Sequence, residues 1–193
     1  TADRLVDPPT DLTTDIACFG TVSLALEPGA SRYATLLKNL HRDGTFIALD
    51  PNIRPFYATK AHSDFLYSLL PSVDLLKLSD EEEEFLDHPE APIKVITCGP
   101  DGLIVHFNGQ TIEVTAPTIE VADTIGAGDT VIGCLLAEIH RRTGGKNVRS
   151  KTMEFAGEDW AEIASYAARA AAVTCTRVGA NPPTRAEMEQ LPE

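Results

Sequence analysis

Two hydrophobic periodicities alternate along most of the chain. Short β-rich runs at residues 16–19, 46–49, 73–76 and 94–97 predict strands, and the segments between them carry apolar residues at helical spacing. In 31–42, Tyr33, Leu36, Leu37 and Leu40 fall on one stripe and Gly44 follows as a stop, which predicts a crossover helix. A second helix is expected at 62–70, ending before Pro71, and a short acidic one at 80–86. Alternation of this kind predicts a mainly parallel sheet flanked by helices, an α/β fold.

Beyond the fourth strand the pattern changes. Runs at 103–107 and 111–114 flank Asn108-Gly109, a dipeptide that readily takes positive φ and so predicts a hairpin and added antiparallel strands. The clearest helix is 131–142. There Val131, Ile132, Leu135, Leu136 and Ile139 share a face, and His140, Arg141 and Arg142 fill the last turn before Gly144. Residues 143–157 are polar, glycine-containing and aperiodic, which predicts a mobile surface loop. An Ala-rich helix is expected at 160–175, and Thr184 is placed to N-cap a last short helix from Arg185. The length of 193 residues suits one domain.

Composition narrows the class. With 43% hydrophobic and 23% charged residues the chain has the make-up of a soluble globular protein. Lys plus Arg number 16 against 29 Asp plus Glu, and the net charge of -13 argues against general nucleic-acid binding, which needs a basic surface. Cys18, Cys98, Cys134 and Cys175 lie far apart in apolar stretches and read as reduced core residues of a cytoplasmic protein, neither disulfides nor a zinc site. No apolar run approaches the ~20 residues that span a bilayer. The first residues lack an initiating Met and a basic-then-apolar signal, so the chain is expected to begin inside something larger. The scattered His41, His62, His88, His106 and His140 lack metal-ligand spacing and are expected on the surface. Trp160 and Phe155 are expected to pack locally, and the acidic run at 80–84 to form a solvated helix face.

Candidate chemistry concentrates in Asp123-Thr124-Ile125-Gly126-Ala127-Gly128-Asp129-Thr130, directly before the clearest helix. Glycines and a small residue leave backbone N–H groups open at the positive end of a helix, a geometry that holds anions such as a phosphoryl group. Asp129 beside such an anion could take the proton of a hydroxyl nucleophile. The competing reading is a tight turn with a first-turn helix acid. Thr97, Gly99 and Gly102 follow a strand, at the carboxyl end where open α/β sheets bind ligands, though a plain β-turn has the same composition. Arg54 suits a phosphate or an acidic sugar group, or a surface ion pair.

The octet resembles the DTxGAGD signature of the PfkB (ribokinase-like) carbohydrate and nucleoside kinases. Other segments agree with it in order. Asp50-Pro51-Asn52-Ile53-Arg54-Pro55 resembles the DPNxRP element of the fructokinase and 2-keto-3-deoxygluconate kinase branch. Leu76-Lys77-Leu78-Ser79-Asp80-Glu81-Glu82 resembles the segment carrying the NxxE motif, with Ser79 in place of Asn, and Thr97-Cys98-Gly99-Pro100-Asp101-Gly102 resembles the nucleotide-binding TxGxxG turn. Thr176-Arg177-Val178-Gly179-Ala180 and Pro183-Thr184-Arg185 resemble the closing segment. The resemblance runs from about Asp15 to the end.

It implies a ribokinase-like three-layer α/β/α fold and an ATP-dependent sugar kinase. Gly126, Ala127 and Gly128 would form the anion hole and Asp129 the base. Thr97, Gly99, Gly102 and Lys77 would serve the nucleotide, and Arg54 the sugar. Glu82 would help organise a hydrated Mg²⁺, which needs few direct carboxylates. Asp123, with Gly179, brackets a region where relatives hold a monovalent cation such as K⁺, although an Asp there could also simply end a strand. The 167–173 face matches the helix lining the adenine pocket in relatives, although Ala-rich helices are also ordinary core.

Family members are longer, and the N-terminal strands, the lid and the Gly-Gly-Asn region find no counterpart here, so the chain resembles the C-terminal portion alone. An open sheet edge is expected to be covered by association, which predicts a homo-oligomer. The alternative function is a non-catalytic nucleotide-binding or interaction module without a sugar site.

Overall fold

The computed structural model describes residues 12–190. Alternation along the strands divides the core in two. In β2 (Phe46–Asp50), Phe46 and Ala48 join one apolar cluster and Ile47 and Leu49 the other. Every residue of β2 is buried, as a parallel strand covered on both faces requires. The remaining strands are β1 (Ile16–Gly20), β3 (Leu75–Ser79), β4 (Ile93–Thr97), β5 (Leu103–Phe107) and β6 (Gln110–Val114). They form one six-stranded sheet in sequence order, parallel from β1 to β4 and antiparallel from β4 to β6.

A sheet that steps one way through right-handed crossovers puts its connecting helices on one face. Accordingly α1 (Gly29–Arg42) and α2 (Lys60–Tyr67) bury Ala34, Leu37, Leu40 and Leu66 with Ile47, Leu49, Leu76 and Leu78, and short α3 (Asp80–Phe85) follows β3 directly. The opposite face is covered by α4 (Ala127–Thr143) and α6 (Gly157–Cys175). Leu135 and Ile139 there share a cluster with Trp160, Ile163 and Ala167 and with Phe46, Val95 and Val105 of the sheet. The result is the three-layer α/β/α arrangement with a mainly parallel sheet. Between the two helices the buried hydroxyls of Thr130 and Thr174 lie 2.9 Å apart, satisfying one another. After α6, Thr184 accepts the Glu187 N–H and caps α7 (Arg185–Met188) as expected.

Other expectations need correction. Residues 143–157 do not form one irregular loop. They contain α5 (Val148–Met153), which buries Val148 and Thr152, and its Arg149 donates from Nε to Asp74 Oδ1 at 2.7 Å. β3 runs later than 73–76. Buried Asp74 precedes the strand and accepts the Ile47 N–H at 2.8 Å, while Lys77 stays inside because an acid on β2 pairs with it. The four cysteines carry free thiols, but none is fully buried: Cys18 is exposed and the others half-buried, Cys134 packing against the core. His62 is buried, edge-on to Tyr57 and stacked on Phe65. The acidic run is only partly solvated, since Glu82 and Glu83 are buried and Glu83 pairs with Lys94 at 2.8 Å. Trp160 packs locally against Phe107 and Phe155. Among the described residues no helix is long and apolar enough to cross a membrane.

Candidate active site

Parallel strands bring their carboxyl ends to one side of the sheet. β2 ends there at Asp50 and β3 passes through Lys77. Alternation places both on the face covered by α4, since Phe46, Ala48 and Leu75 belong to that cluster. Lys77 Nζ donates to both Asp50 oxygens at 3.2 Å, and the two side chains are 7% and 8% exposed. Burial pushes the Asp50 carboxyl up to about 6, Lys77 opposes the rise, and Glu82 and Asp129 add to it. Two further acids therefore bear on the same floor.

The turn before α4 faces this pair. Gly126 takes the left-handed conformation at φ 82 and forms the helix N-cap. The Ala127 N–H donates to the Thr124 carbonyl at 3.2 Å, and the Gly128 and Asp129 amides have no backbone partner among the described residues. These are first-turn donors at the positive end of a 17-residue helix. A Cβ on Gly128 would stand 3.0 Å from Lys77 Nζ, so an ammonium lies directly under the turn. Asp129 is exposed in the same first turn. Amides, an ammonium and an accessible carboxylate thus converge, a set able to hold a phosphoryl anion and receive a proton beside it.

Glu82 has a local task that links two site segments. Its Oε2 accepts the Ser79 N–H at 2.8 Å, while Ser79 Oγ accepts the Glu82 N–H, a capping box at the start of α3. Its Oε1 accepts the Ile53 N–H at 2.5 Å and pins the segment after Asp50. Ser79 fills the cap position that an Asn would fill equally well. On the pinned segment Arg54 is exposed, and no hydrogen bond or ion pair holds its guanidinium among the described residues. Its carbonyl holds the Tyr57 and Ala58 amides at 3.0 and 3.1 Å.

Thr97 lies beside Ser79 in the β3–β4 register and donates to the Leu78 carbonyl at 3.2 Å. Gly99 and Gly102 shape the turn into β5. At Gly102, with φ +105, a Cβ would lie 1.9 Å from the Val114 carbonyl oxygen, so only glycine fits. Asp123 clamps two loops: Oδ1 accepts the Ile125 N–H at 3.0 Å and Oδ2 the Gly179 N–H at 2.9 Å. These bonds hold its carboxyl below its ordinary range. Asp123 and Glu82 do not share a cluster, and among the described residues no three His, Cys, Asp or Glu side chains gather as a metal cage. A hydrated ion carried by phosphates fits these residues; a cage of direct protein ligands does not.

The sequence reading left Asp50 out of the site, and Cys18 with it. The Cys18 thiol is pushed up to about 11 by burial of the sulfur, with Asp50 and Asp129 adding and Lys77 opposing, although the residue as a whole is exposed. The available signal was a pair of opposite charges set in otherwise apolar strands, Asp50 closing one and Lys77 interrupting the next.

Comparison with known proteins places the fold. The chain is 25% identical over 189 residues to a probable fructokinase-2 of Arabidopsis thaliana, covering 90% of this chain and 55% of the relative. An uncharacterized sugar kinase of Pyrococcus horikoshii superposes with TM-score 0.77 at 24% identity, over 92% of this chain and 57% of the other. A fructokinase of Vibrio cholerae, solved with fructose, ADP and potassium ion, gives TM-score 0.77 at 21% identity, over 94% and 61%. The chain therefore spans about half the length of the curated relatives it matches. A family model described as pfkB family carbohydrate kinase matches residues 14–187, and with the sheet order and the turn at 126–129 in place, the chain belongs to the pfkB family of carbohydrate kinases.

Proposed function

We propose that this chain carries the nucleotide-binding and phosphoryl-transfer portion of an ATP-dependent sugar kinase of the fructokinase type. The observation that carries the reading is the meeting of the free amides at the start of α4 with the Lys77 ammonium and the Asp129 carboxylate. In this reading the Gly126–Gly128 turn, chiefly through the Gly128 amide together with that of Asp129, holds the transferred group. Asp129 takes the proton from a sugar hydroxyl as the oxygen attacks phosphorus. Lys77 offsets the charge on the phosphates, and the Thr97, Gly99 and Gly102 turn lies against the nucleotide at the neighbouring strand end.

Mg²⁺ would arrive with the ATP phosphates and spread their charge, and Glu82 would help order its water shell. K⁺ would sit by the loops that Asp123 joins to Gly179. Arg54, exposed and unpaired among the described residues on the segment after Asp50, is the candidate for an acidic or phosphate-bearing group of the substrate. The Vibrio relative's fructose, ADP and potassium support this assignment of ligand classes. Among the described residues β1 has a strand neighbour on one side alone, which supports self-association of the chain.

Calorimetric titration with Mg²⁺·ATP, followed by a coupled ADP-release assay with fructose and with 2-keto-3-deoxygluconate, tests the reading. Binding is expected, with turnover wherever a sugar site is complete. Binding without turnover on any sugar favours a nucleotide-binding module, and absence of binding removes the kinase reading.

A further inference from the structure

Burying two opposite charges costs more than burying an apolar pair of the same volume, so such pairs are retained where the charge has a use. Asp50 and Lys77 form such a pair, both more than nine-tenths buried, at the floor of a turn built for an anion. Both recorded hydrogen bonds of the ammonium go to Asp50. A Cβ placed on Gly128 would come within 3.0 Å of it, so a small shift of Nζ carries it from the carboxylate to an anion held by the turn. The acids surrounding Asp50 oppose its charge: Asp129 from α4 and Glu82 from α3 both raise its carboxyl, and only Lys77 supports it. Cys18 on β1 faces the same group as a neutral thiol. Asp50 is thus poorly satisfied as a carboxylate and competes for Lys77 with anything negative that enters the turn.

We propose that Asp50 is a positioning residue that holds the Lys77 ammonium beneath the 126–128 turn when no anion is bound, and that the ammonium passes to the phosphoryl group when one arrives. This rests on the kinase reading for its ligand but makes a separate statement about charge exchange. Asp50 keeps Lys77 aimed in the empty site, and it limits how tightly the phosphate is held, which favours release of the phosphorylated product. The exchange involves no bond making; one ion pair replaces another.

The sign of the effect separates this role from a merely structural one. Loss of a structural anchor loosens the site and weakens binding. Loss of a competitor for Lys77 does the opposite. With the 193-residue chain, calorimetry with Mg²⁺·ATP and separately with inorganic phosphate is expected to show about threefold or more tighter binding for Asp50→Asn, an isosteric change that removes one nearby negative charge. Lys77→Met is expected to weaken both ligands by about tenfold or more, the factor that corresponds to one lost charge contact of modest strength. Lys77→Arg should recover most of that loss. Thermal unfolding of each variant identifies any that fails to fold, and the Lys77→Arg and Lys77→Met comparison stands even if Asp50→Asn does not fold.

Weaker or unchanged binding in folded Asp50→Asn, or undiminished binding in Lys77→Met, overturns the exchange while leaving the kinase reading in place. Phosphate binding with these variant effects but no ATP binding removes the kinase reading and leaves the exchange standing.

Discussion

Gly126 approaches Ala180 so closely that a Cβ on the glycine would stand 2.8 Å from the Ala180 Cβ. The contact joins the start of α4 to the segment after α6, and the Asp123 carboxylate spans the same two regions through Ile125 and Gly179. The 126–128 turn is therefore shaped from two sides, by a backbone conformation and by a neighbouring loop. Gly126→Ala meets both obstacles, since φ is 82 and the space is filled. We expect it to destabilise the chain by about 1–3 kcal/mol, the range for a residue forced into a sparsely populated conformation. ATP affinity should fall with it, as read by urea unfolding and calorimetry.

The clamp itself is testable through Asp123. Its carboxylate accepts two backbone N–H bonds and titrates below its ordinary range, so it remains ionised through the physiological window. Asp123→Ala should loosen both loops and raise amide hydrogen exchange at Ile125 and Gly179, whereas Asp123→Asn should keep part of the protection through its remaining carbonyl oxygen. Unchanged exchange in the alanine variant would show that the loops hold without it.

The buried pair gives a stability prediction of its own. Removing one partner leaves an uncompensated charge, so Lys77→Met alone should cost about 3–5 kcal/mol. Replacing both, as Asp50→Asn with Lys77→Met, should come close to the parent in stability while losing anion affinity. Urea melts of the single and double variants decide whether the pair is kept for the fold or for the site.

Asp50 also fixes a pH dependence. Its carboxyl rises from 3.8 unfolded to about 6 folded, so between those values the native state holds a proton that the unfolded chain has released. The contribution of this group to stability is largest below the unfolded value and declines as pH rises through about 6. Relative to Asp50→Asn, the parent should lose stability between pH 4 and 7. A flat difference across that window would show that the carboxyl is not raised.

At the sheet edge, β1 has β2 as its sole strand neighbour among the described residues. Exposed Cys18 lies in the middle of this strand. We expect dimers or larger species in light scattering, because an edge strand with open pairing groups invites strand addition. A monodisperse parent monomer would contradict this.

Much of the fold was legible because local signals and tertiary structure agree. Asn108 and Gly109 take φ 47 and 70, the positive values their turn needs, and β5 and β6 pair across them as expected. The stripe at 131–139 lies on the core as its spacing predicts. What escaped were residues whose meaning is set by distant partners. Lys77 looks like the end of a strand until Asp50 is seen beside it, and Glu83 looks solvated until Lys94 reaches it. α5 shows only Val148 and Thr152 on its buried face, too short a stripe to register as a period. The site followed the same rule. Its turn and the proposed base, Asp129, were carried by a contiguous segment, whereas Asp50, the partner of Lys77, depended on pairing between strands.

The most direct test of the central claim compares the parent chain with Asp129→Asn, measuring Mg²⁺·ATP binding by calorimetry and sugar-dependent ADP release on the same preparations. Both should bind ATP alike, and any turnover by the parent should fall by about 10²–10⁴-fold in the variant, the scale of a lost general base. Turnover that survives in Asp129→Asn, or a parent chain that does not bind ATP, would contradict the account.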